Sequence, residues 1–273
     1  MFKFFLSLRF ALLLLLIQFS FTISAQENQP YELSWKMDVP LLAVGLGGQL
    51  TSTFIIPDAE QLTDEEIVEL DKNDIWPSFD SRAVGFNSKR ARVASDYLLI
   101  GSQTAPFLLL LDERTRKGWL TLSVMAAEVV LLNGATTSLT KQFSERIRPY
   151  AYDPDVSVSL KKRVKTKYSF YSGHTSAVSS ITFFGAKVFS DYFPDSKVKP
   201  VVWTTAAVLP ALTGYFRVRG GRHFPTDVTV GYLAGGLIGY LVPVLHKKRK
   251  KKKDGIGFQL YPGFNSVGLT MTW

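Results

Sequence analysis

The chain contains no cysteine and only three histidines in 273 residues. The first absence excludes disulfide frameworks, thiolate nucleophiles and cysteine-ligated zinc or iron–sulfur centres at once. The second confines histidine chemistry to His174, His223 and His246. Acidic residues are outnumbered, 23 against 32 basic ones, for a formal charge of +9. Seven of those positive charges fall in one run, Lys247 to Lys253, and nine less seven leaves only +2 elsewhere. The body of the chain therefore lacks the distributed basic surface of a nucleic-acid binder, and no nucleic-acid partner is expected. Apolar residues make up 46% and aromatic residues 13%, which excludes disorder for most of the chain.

Residues 1–25 carry Lys3 and Arg9, then the apolar run Phe10 to Ile17, then a small and polar stretch ending in Ser24 and Ala25. That order is the order of a secretory signal peptide or an uncleaved anchor, and it predicts an exported chain. Residues 26–94 read as a connecting region. Within it, the uncharged stretch Val39 to Pro57 is a poor helix by propensity, because of Gly45, Gly47, Gly48 and Gln49. The acidic stretch from Asp58 to Asp74 predicts a short surface helix anchored by Ile67, Leu70 and Ile75, followed by a loop through Pro77 and Gly85.

From residue 95 to 246 the chain reads as a succession of helices with uncharged stretches at 97–111, 118–140 (interrupted by Glu128), 174–186, 200–216 and 228–245. The expected fold class is all-α, a helical bundle. A membrane span needs about 20 mostly apolar residues, and only the last two stretches approach that without interruption. Mean hydropathy is +0.08, low for five or six spans. A membrane-associated bundle and a soluble one both remain open on this ground, with the first preferred. Glu128, set among apolar residues, is expected to make a polar contact between helices, and His246 to lie at an interface beside the basic run. In 247–273, Ile256, Phe258 and Leu260 and then Val267, Leu269, Met271 and Trp273 alternate with other residues around Pro262-Gly263, which predicts a short C-terminal β-hairpin after the polybasic run.

Three short segments carry chemistry. KQFSERIRP, residues 141–149, closes a helix and sets Lys141 and Arg148 seven residues apart. YSGHTS, residues 171–176, places Ser172, Gly173 and His174 at a helix start, where free backbone N–H groups and the helix dipole favour a bound anion. RVRGGRHFPTD, residues 217–227, holds Arg217, His223 and Asp227 at the start of the last long helix. Singly, each reads as a solvated or interfacial feature. Together they supply cations, a carboxylate and two of the only three histidines, which is the inventory of a phosphate pocket with a nucleophile and a proton donor.

Lys-x6-Arg-Pro, then Ser-Gly-His, then Arg-x5-His-x3-Asp, in this order and spacing, resembles the type 2 phosphatidic acid phosphatase (PAP2) superfamily, which also holds bacterial acid phosphatases and vanadium haloperoxidases. The resemblance covers roughly residues 95–245 and departs at Tyr171, where the family has proline, and at Phe216, where it has serine. It implies that His223 attacks phosphorus to form a phosphohistidine and that Asp227 hydrogen-bonds its other nitrogen. It implies that His174 protonates the leaving alkoxide and then helps activate water. Lys141, Arg148, Arg217, Ser172 and the Gly173 N–H would bind the phosphate. No metal and no other cofactor is expected, since Asp227 is the only carboxylate at these family positions, too few for a magnesium or two-zinc phosphatase.

The function so implied is a metal-independent phosphatase acting outside the cytoplasm on a phosphomonoester or diphosphate, of a lipid by preference. The alternatives are a soluble exported acid phosphatase of broad specificity, a vanadate-dependent haloperoxidase, and a non-enzymatic binder of anionic lipid through residues 247–253. If the stretch 39–57 does not cross a membrane, the positive-inside rule places the three motifs outside and Arg114, Arg116, Lys117 and the basic run inside.

Overall fold

A computed structural model describes residues 29–248, 257–263 and 266–272. The expected leader, residues 1–25, and most of the basic run lie outside the described residues. Six helices of fourteen residues or more dominate: α1 (Trp35–Leu50), α2 (Lys89–Ser102), α3 (Trp119–Ser144), α4 (Gly173–Tyr192), α5 (Lys199–Arg219) and α6 (Pro225–His246). The fold is helical, as expected.

The helix α1 corrects the reading of residues 39–57 as a poor helix. Its glycines are close-approach positions against α3: a Cβ at Gly45 would stand 2.7 Å from Leu131 Cβ, and one at Gly48 2.7 Å from Ala135 Cβ. Packing between the two helices offsets the propensity cost of glycine.

Buried on most sides, α4 is the central element, with Val178, Ile181, Phe184 and Val188 in the core beside Met125 and Val129 of α3 and Val242 of α6. It packs against α2, α3, α5 and most extensively α6. The α4–α6 contact is built from small residues. A Cβ added at Gly231, Gly235 or Gly239 would lie 2.7, 2.1 or 2.0 Å from the carbonyl oxygen of Ser172, Ser176 or Ser180. Only glycine lets the two backbones come that close.

The connecting region wraps the end of the bundle where α4 and α6 begin. Leu62, Ile67 and Leu70 pack with Tyr150, Ala151 and Val156, and Ile75 packs with Ala83 and Phe224. A capping box, with Thr63 N donating to Glu66 Oε2 at 2.8 Å and Glu66 N to Thr63 Oγ1 at 3.1 Å, starts the short helix Asp64–Glu69 expected there.

At the opposite end, the segment around Tyr31 covers the last turn of α6. Glu32 N donates to the His246 carbonyl and Lys248 N to the Pro30 carbonyl. The Tyr31 hydroxyl donates to Asp191 Oδ2 at 2.7 Å, and Lys247 Nζ pairs with Asp191 Oδ1 at 2.6 Å. This cover corrects the interfacial reading of His246, whose side chain is buried. Glu128, fully buried, stands 3.3 Å from His246 Nε2 across the α3–α6 contact.

Two strands, β1 (Gly257–Gly263) and β2 (Ser266–Thr272), pair antiparallel in the C-terminal segment. Pro262 and Gly263 lie within β1, opposite Val267 and Ser266, so the expected hairpin turning at Pro262-Gly263 is not supported, and residues 264–265 lie outside the described residues. The fold class rests on the helices alone.

Among the described residues, three helical stretches are long and apolar enough to cross a membrane: Trp119–Tyr152, Lys199–Arg219 and Pro225–His246. Large apolar side chains stand exposed along the last two, including Val201, Val208, Leu212 and Tyr215 of α5 and Leu233, Leu237 and Leu241 of α6.

Candidate active site

Four helix termini gather at one end of the bundle. α3 arrives with Lys141 in its last turns, α4 leaves with Gly173 and His174, α5 arrives with Arg217, and α6 leaves with Asp227. The third motif thus straddles the end of α5 and the start of α6. His223 sits in the tight turn between them, where Gly221 adopts φ +68° and a Cβ would meet the Phe86 carbonyl at 2.0 Å, a position open to glycine alone.

These termini enclose a cavity of about 550 Å³ lined by Lys141, Arg148, Gly173, His174, Arg217 and His223. Six of the eight residues singled out from sequence therefore share one space. The other two support it. Ser172 is fully buried and caps α4, its hydroxyl bonded to the Thr175 hydroxyl at 2.9 Å and accepting from Thr175 N at 3.4 Å. Asp227 is fully buried at the start of α6.

The His223 ring is fixed by a main-chain group. Its Nδ1 donates to the Ser169 carbonyl at 2.8 Å, while Asp227 Oδ2 stands 3.6 Å from the same nitrogen. A carbonyl only accepts, so Nδ1 carries the hydrogen and Nε2 keeps its lone pair. The direct His223–Asp227 hydrogen bond implied by resemblance is not formed. The reason is visible in what Asp227 does instead: it accepts from Ser169 Oγ at 2.5 Å, from the Phe224 N–H at 2.8 Å and from Arg146 Nη1 at 2.6 Å. Asp227 orders both segments that flank the histidine. Burial, then the Arg148, Lys141 and Arg217 cations, hold His223 well below the ordinary imidazole range.

His174 faces α2, with Nε2 2.9 Å from Asp96 Oδ1. Burial and the neighbouring Arg217 push it down to about 4, against the opposing pull of Asp96. Arg217 Nη1 reaches Ser95 Oγ at 3.4 Å and Asp96 Oδ1 at 3.6 Å. Lys141 Nζ and Arg148 Nη2 both donate to the Tyr168 carbonyl, at 3.1 and 3.2 Å. The Nε of Arg148 and of Arg217 are buried with no hydrogen-bond partner. Orphaned guanidinium donors beside a cavity are matched by an anion's oxygens.

Sequence reasoning missed one wall. Lys89, Arg92, Val93 and Asp96 all line the cavity. They lie at i, i+3, i+4 and i+7, one face of α2, and that spacing in KRARVASD is the signal that was available. Lys165 and Arg222 also line it. Arg146 was passed over although it lies inside the first motif. Its guanidinium bridges Asp227 and the fully buried Asp80, at 2.6 and 2.7 Å, and stacks 4.4 Å from the Phe224 ring. Asp80 in turn accepts from the Thr226 N–H at 3.1 Å and from its hydroxyl, tying the connecting region to the start of α6.

Residues 119–251, which include all three motifs, match the model of the PAP2 superfamily. The chain is 29% identical over 160 residues to a lipid A 4'-phosphatase of Porphyromonas gingivalis, covering 57% of this chain and 64% of that one. It is 30% identical over 135 residues to an undecaprenyl-diphosphatase of Sulfolobus acidocaldarius (49% and 58% covered) and 32% identical over 139 residues to phosphatidylglycerophosphatase B of Bacillus subtilis (50% and 62%). The chain spans about three fifths of the length of these curated relatives. The crystal structure of a transmembrane PAP2 type phosphatidylglycerolphosphate phosphatase from Bacillus subtilis aligns with 81% of this chain and 100% of that one, at 23% identity and a TM-score of 0.46.

Proposed function

We propose that the protein is a phosphatase, a phosphoric ester hydrolase, that acts on a lipid phosphate or diphosphate through a phosphohistidine. The observation that carries this reading is the convergence of His223, with Nε2 unprotonated, and His174 on one cavity walled by Lys141, Arg148 and Arg217.

In the first step the Nε2 lone pair of His223 attacks phosphorus, the bond from phosphorus to the leaving oxygen breaks, and its electron pair departs with that oxygen. The bound phosphate offsets the cations that keep His174 neutral, so substrate charge arms His174 as the acid for the leaving alkoxide. In the second step neutral His174 takes a proton from water, the water oxygen attacks phosphorus, and the P–N bond breaks to return the lone pair to Nε2. Lys141, Arg148 and Arg217 balance charge on the equatorial oxygens, the largest contribution in phosphoryl transfer. Asp227, 3.6 Å from Nδ1, offsets the positive charge of the phosphohistidine.

Two features support a lipid. An adjoining cavity of about 890 Å³ shares Lys141 and Lys165 with the first and is walled by Phe54, Ile55, Ile56 and Pro57, of which Phe54 and Ile55 are exposed. The relatives are named for lipid A, undecaprenyl diphosphate and phosphatidylglycerophosphate. Lys89, Arg92, Lys165 and Arg222 add cations beyond those a single phosphate needs, which favours a diphosphate or a headgroup with a second anion. The catalytic unit begins upstream of residue 95, since Lys89 and Arg92 belong to its wall. The exposed apolar faces of α5 and α6 support a membrane-embedded bundle, and the three motifs are assigned to its extracytoplasmic face.

Phosphate release from a panel of lipid and water-soluble phosphates, in EDTA at 20 °C and with His223→Ala as blank, tests the reading. Lipid diphosphates and multi-anionic lipid phosphates should be turned over fastest. Release no greater than the blank on every substrate, or release that depends on added magnesium, overturns it.

A further inference from the structure

Away from the phosphate cavity, three side chains that the mechanism does not use converge. Asp38 comes from the first turn of α1, Glu128 from the third turn of α3 and His246 from the last turn of α6, and their ligand-capable atoms lie within 4.8 Å of one another. All three residues are buried, at 8, 0 and 2% exposure.

The hydrogen-bond inventory does not close. His246 Nδ1 donates to the Val242 carbonyl at 2.8 Å, so that nitrogen holds a hydrogen and Nε2 is the atom turned to the carboxylates. Nε2 stands 2.7 Å from Asp38 Oδ1 and 3.3 Å from Glu128 Oε2. One nitrogen carries at most one hydrogen here, and Asp38 takes it. Neither oxygen of the fully buried Glu128 accepts a hydrogen bond. With an imidazolium between two carboxylates, the cluster keeps a net negative charge in the interior, which burial strongly disfavours.

A divalent cation removes the conflict. Bound to Nε2 and to both carboxylates, it leaves the imidazole neutral, brings the total charge to zero and gives Glu128 a partner. The surroundings already hold two ligands in place: the Val242 carbonyl orients His246, and the Ser34 N–H donates to Asp38 Oδ2 at 2.7 Å. We propose that Asp38, Glu128 and His246 bind a divalent transition-metal ion that ties α1, α3 and α6 together. One imidazole and two carboxylates suit zinc, with water as a fourth ligand, whereas magnesium and calcium prefer oxygen alone. The site lies about 30 Å from His223 by the rise along α6, so the ion acts on the architecture and takes no part in phosphoryl transfer.

The test uses full-length protein in detergent, stripped by dialysis against a strong chelator and then offered zinc or magnesium, with metal content measured by mass spectrometry and unfolding followed thermally. About one zinc per chain should bind on reloading. Stripping should lower the unfolding midpoint by about 5 °C or more, with zinc restoring it and magnesium failing to. Glu128→Gln should lose both the bound zinc and the response to it. If that variant does not accumulate, the stripping and reloading of unaltered protein decide alone. Absence of bound zinc after reloading, or a midpoint that ignores chelator and zinc alike, overturns the proposal and leaves a cluster sharing protons.

Discussion

His223 gives its Nδ1 hydrogen to the main-chain carbonyl of Ser169, 2.8 Å away, while the carboxylate of Asp227 stands off at 3.6 Å. The tautomer that exposes Nε2 is thus set by the backbone. In a serine-protease triad the carboxylate performs that task, and its amide variant flips the imidazole into the wrong tautomer. Here Asp227→Asn leaves the Ser169 carbonyl in place but sets an amide among three donors and leaves Arg146 without one of its two carboxylates. We expect a loss of about 3 kcal/mol in stability and, in protein still folded, a fall in turnover of about 10- to 100-fold, well short of the loss a wrong tautomer causes. Thermal unfolding and single-turnover rates on the same preparation check both numbers.

His223→Ala removes the nucleophile and should abolish a labelled phosphoenzyme. His174→Ala should still form one from an aryl phosphate, whose leaving group needs little protonation, and should slow by about 100-fold or more on alkyl phosphates. A phosphoenzyme trapped in the His223 variant refutes the assignment.

Attack requires neutral His223, and burial with three cations keeps it neutral well below the usual imidazole value. The acid limb of kcat/KM, which reports the free enzyme, should therefore lie well below the value of about 6.5 expected of an ordinary imidazole. Stability moves the other way. An unfolded histidine takes a proton below about 6.5 that folded His223 and His174 refuse, so these groups destabilise the fold progressively as pH drops through that value. Rate and unfolding profiles recorded over the same pH range separate the two effects.

Gly235→Ala sets a Cβ 2.1 Å from the Ser176 carbonyl, whereas at Gly47 nothing lies within 4 Å. The first substitution should cost about 2 kcal/mol or more by overpacking. Gly47→Ala, in the same protein, should be neutral or stabilise by up to about 1 kcal/mol through helix propensity. Paired melting curves read the contrast.

Orientation is open to a direct measurement, because the chain has no cysteine of its own. Single replacements Ser157→Cys, next to Val156 of the cluster at the end where α4 and α6 begin, and Lys197→Cys, between α4 and α5, mark opposite ends of the bundle. In intact cells an impermeant thiol reagent should label the first and spare the second. Labelling of both indicates a soluble exported protein, and the reverse pattern an inward-facing site.

What could be read in advance was whatever lay within a few residues. Each motif segment is contiguous, and the pooled inventory together with the resemblance to the PAP2 superfamily implied that Lys141, Arg148, His174, Arg217 and His223 belong together. The cap role of Ser172 follows from a helix start. Helix α1 was misjudged because the meaning of Gly45 and Gly48 depends on Leu131 and Ala135, more than eighty residues away, and propensity knows nothing of partners. Asp80 escaped notice for the same reason: an aspartate in a loop becomes a buried anchor only when Arg146 and Thr226 arrive. His246 looked interfacial from its basic neighbours and is buried by a segment two hundred residues earlier.

The glycine face of α6 has a further consequence. Gly231, Gly235 and Gly239 meet Ser172, Ser176 and Ser180 with one constant offset of 59 positions, so α4 and α6 run parallel and in fixed register. A slip of one turn would shift the helices by about 5.4 Å along their axes, and larger residues would meet where backbones now touch. The same slip would carry His174 away from His223, since each histidine stands at the head of one of these two helices. The spacing between proton donor and nucleophile is therefore metered by contacts deep in the bundle, where no phosphate reaches.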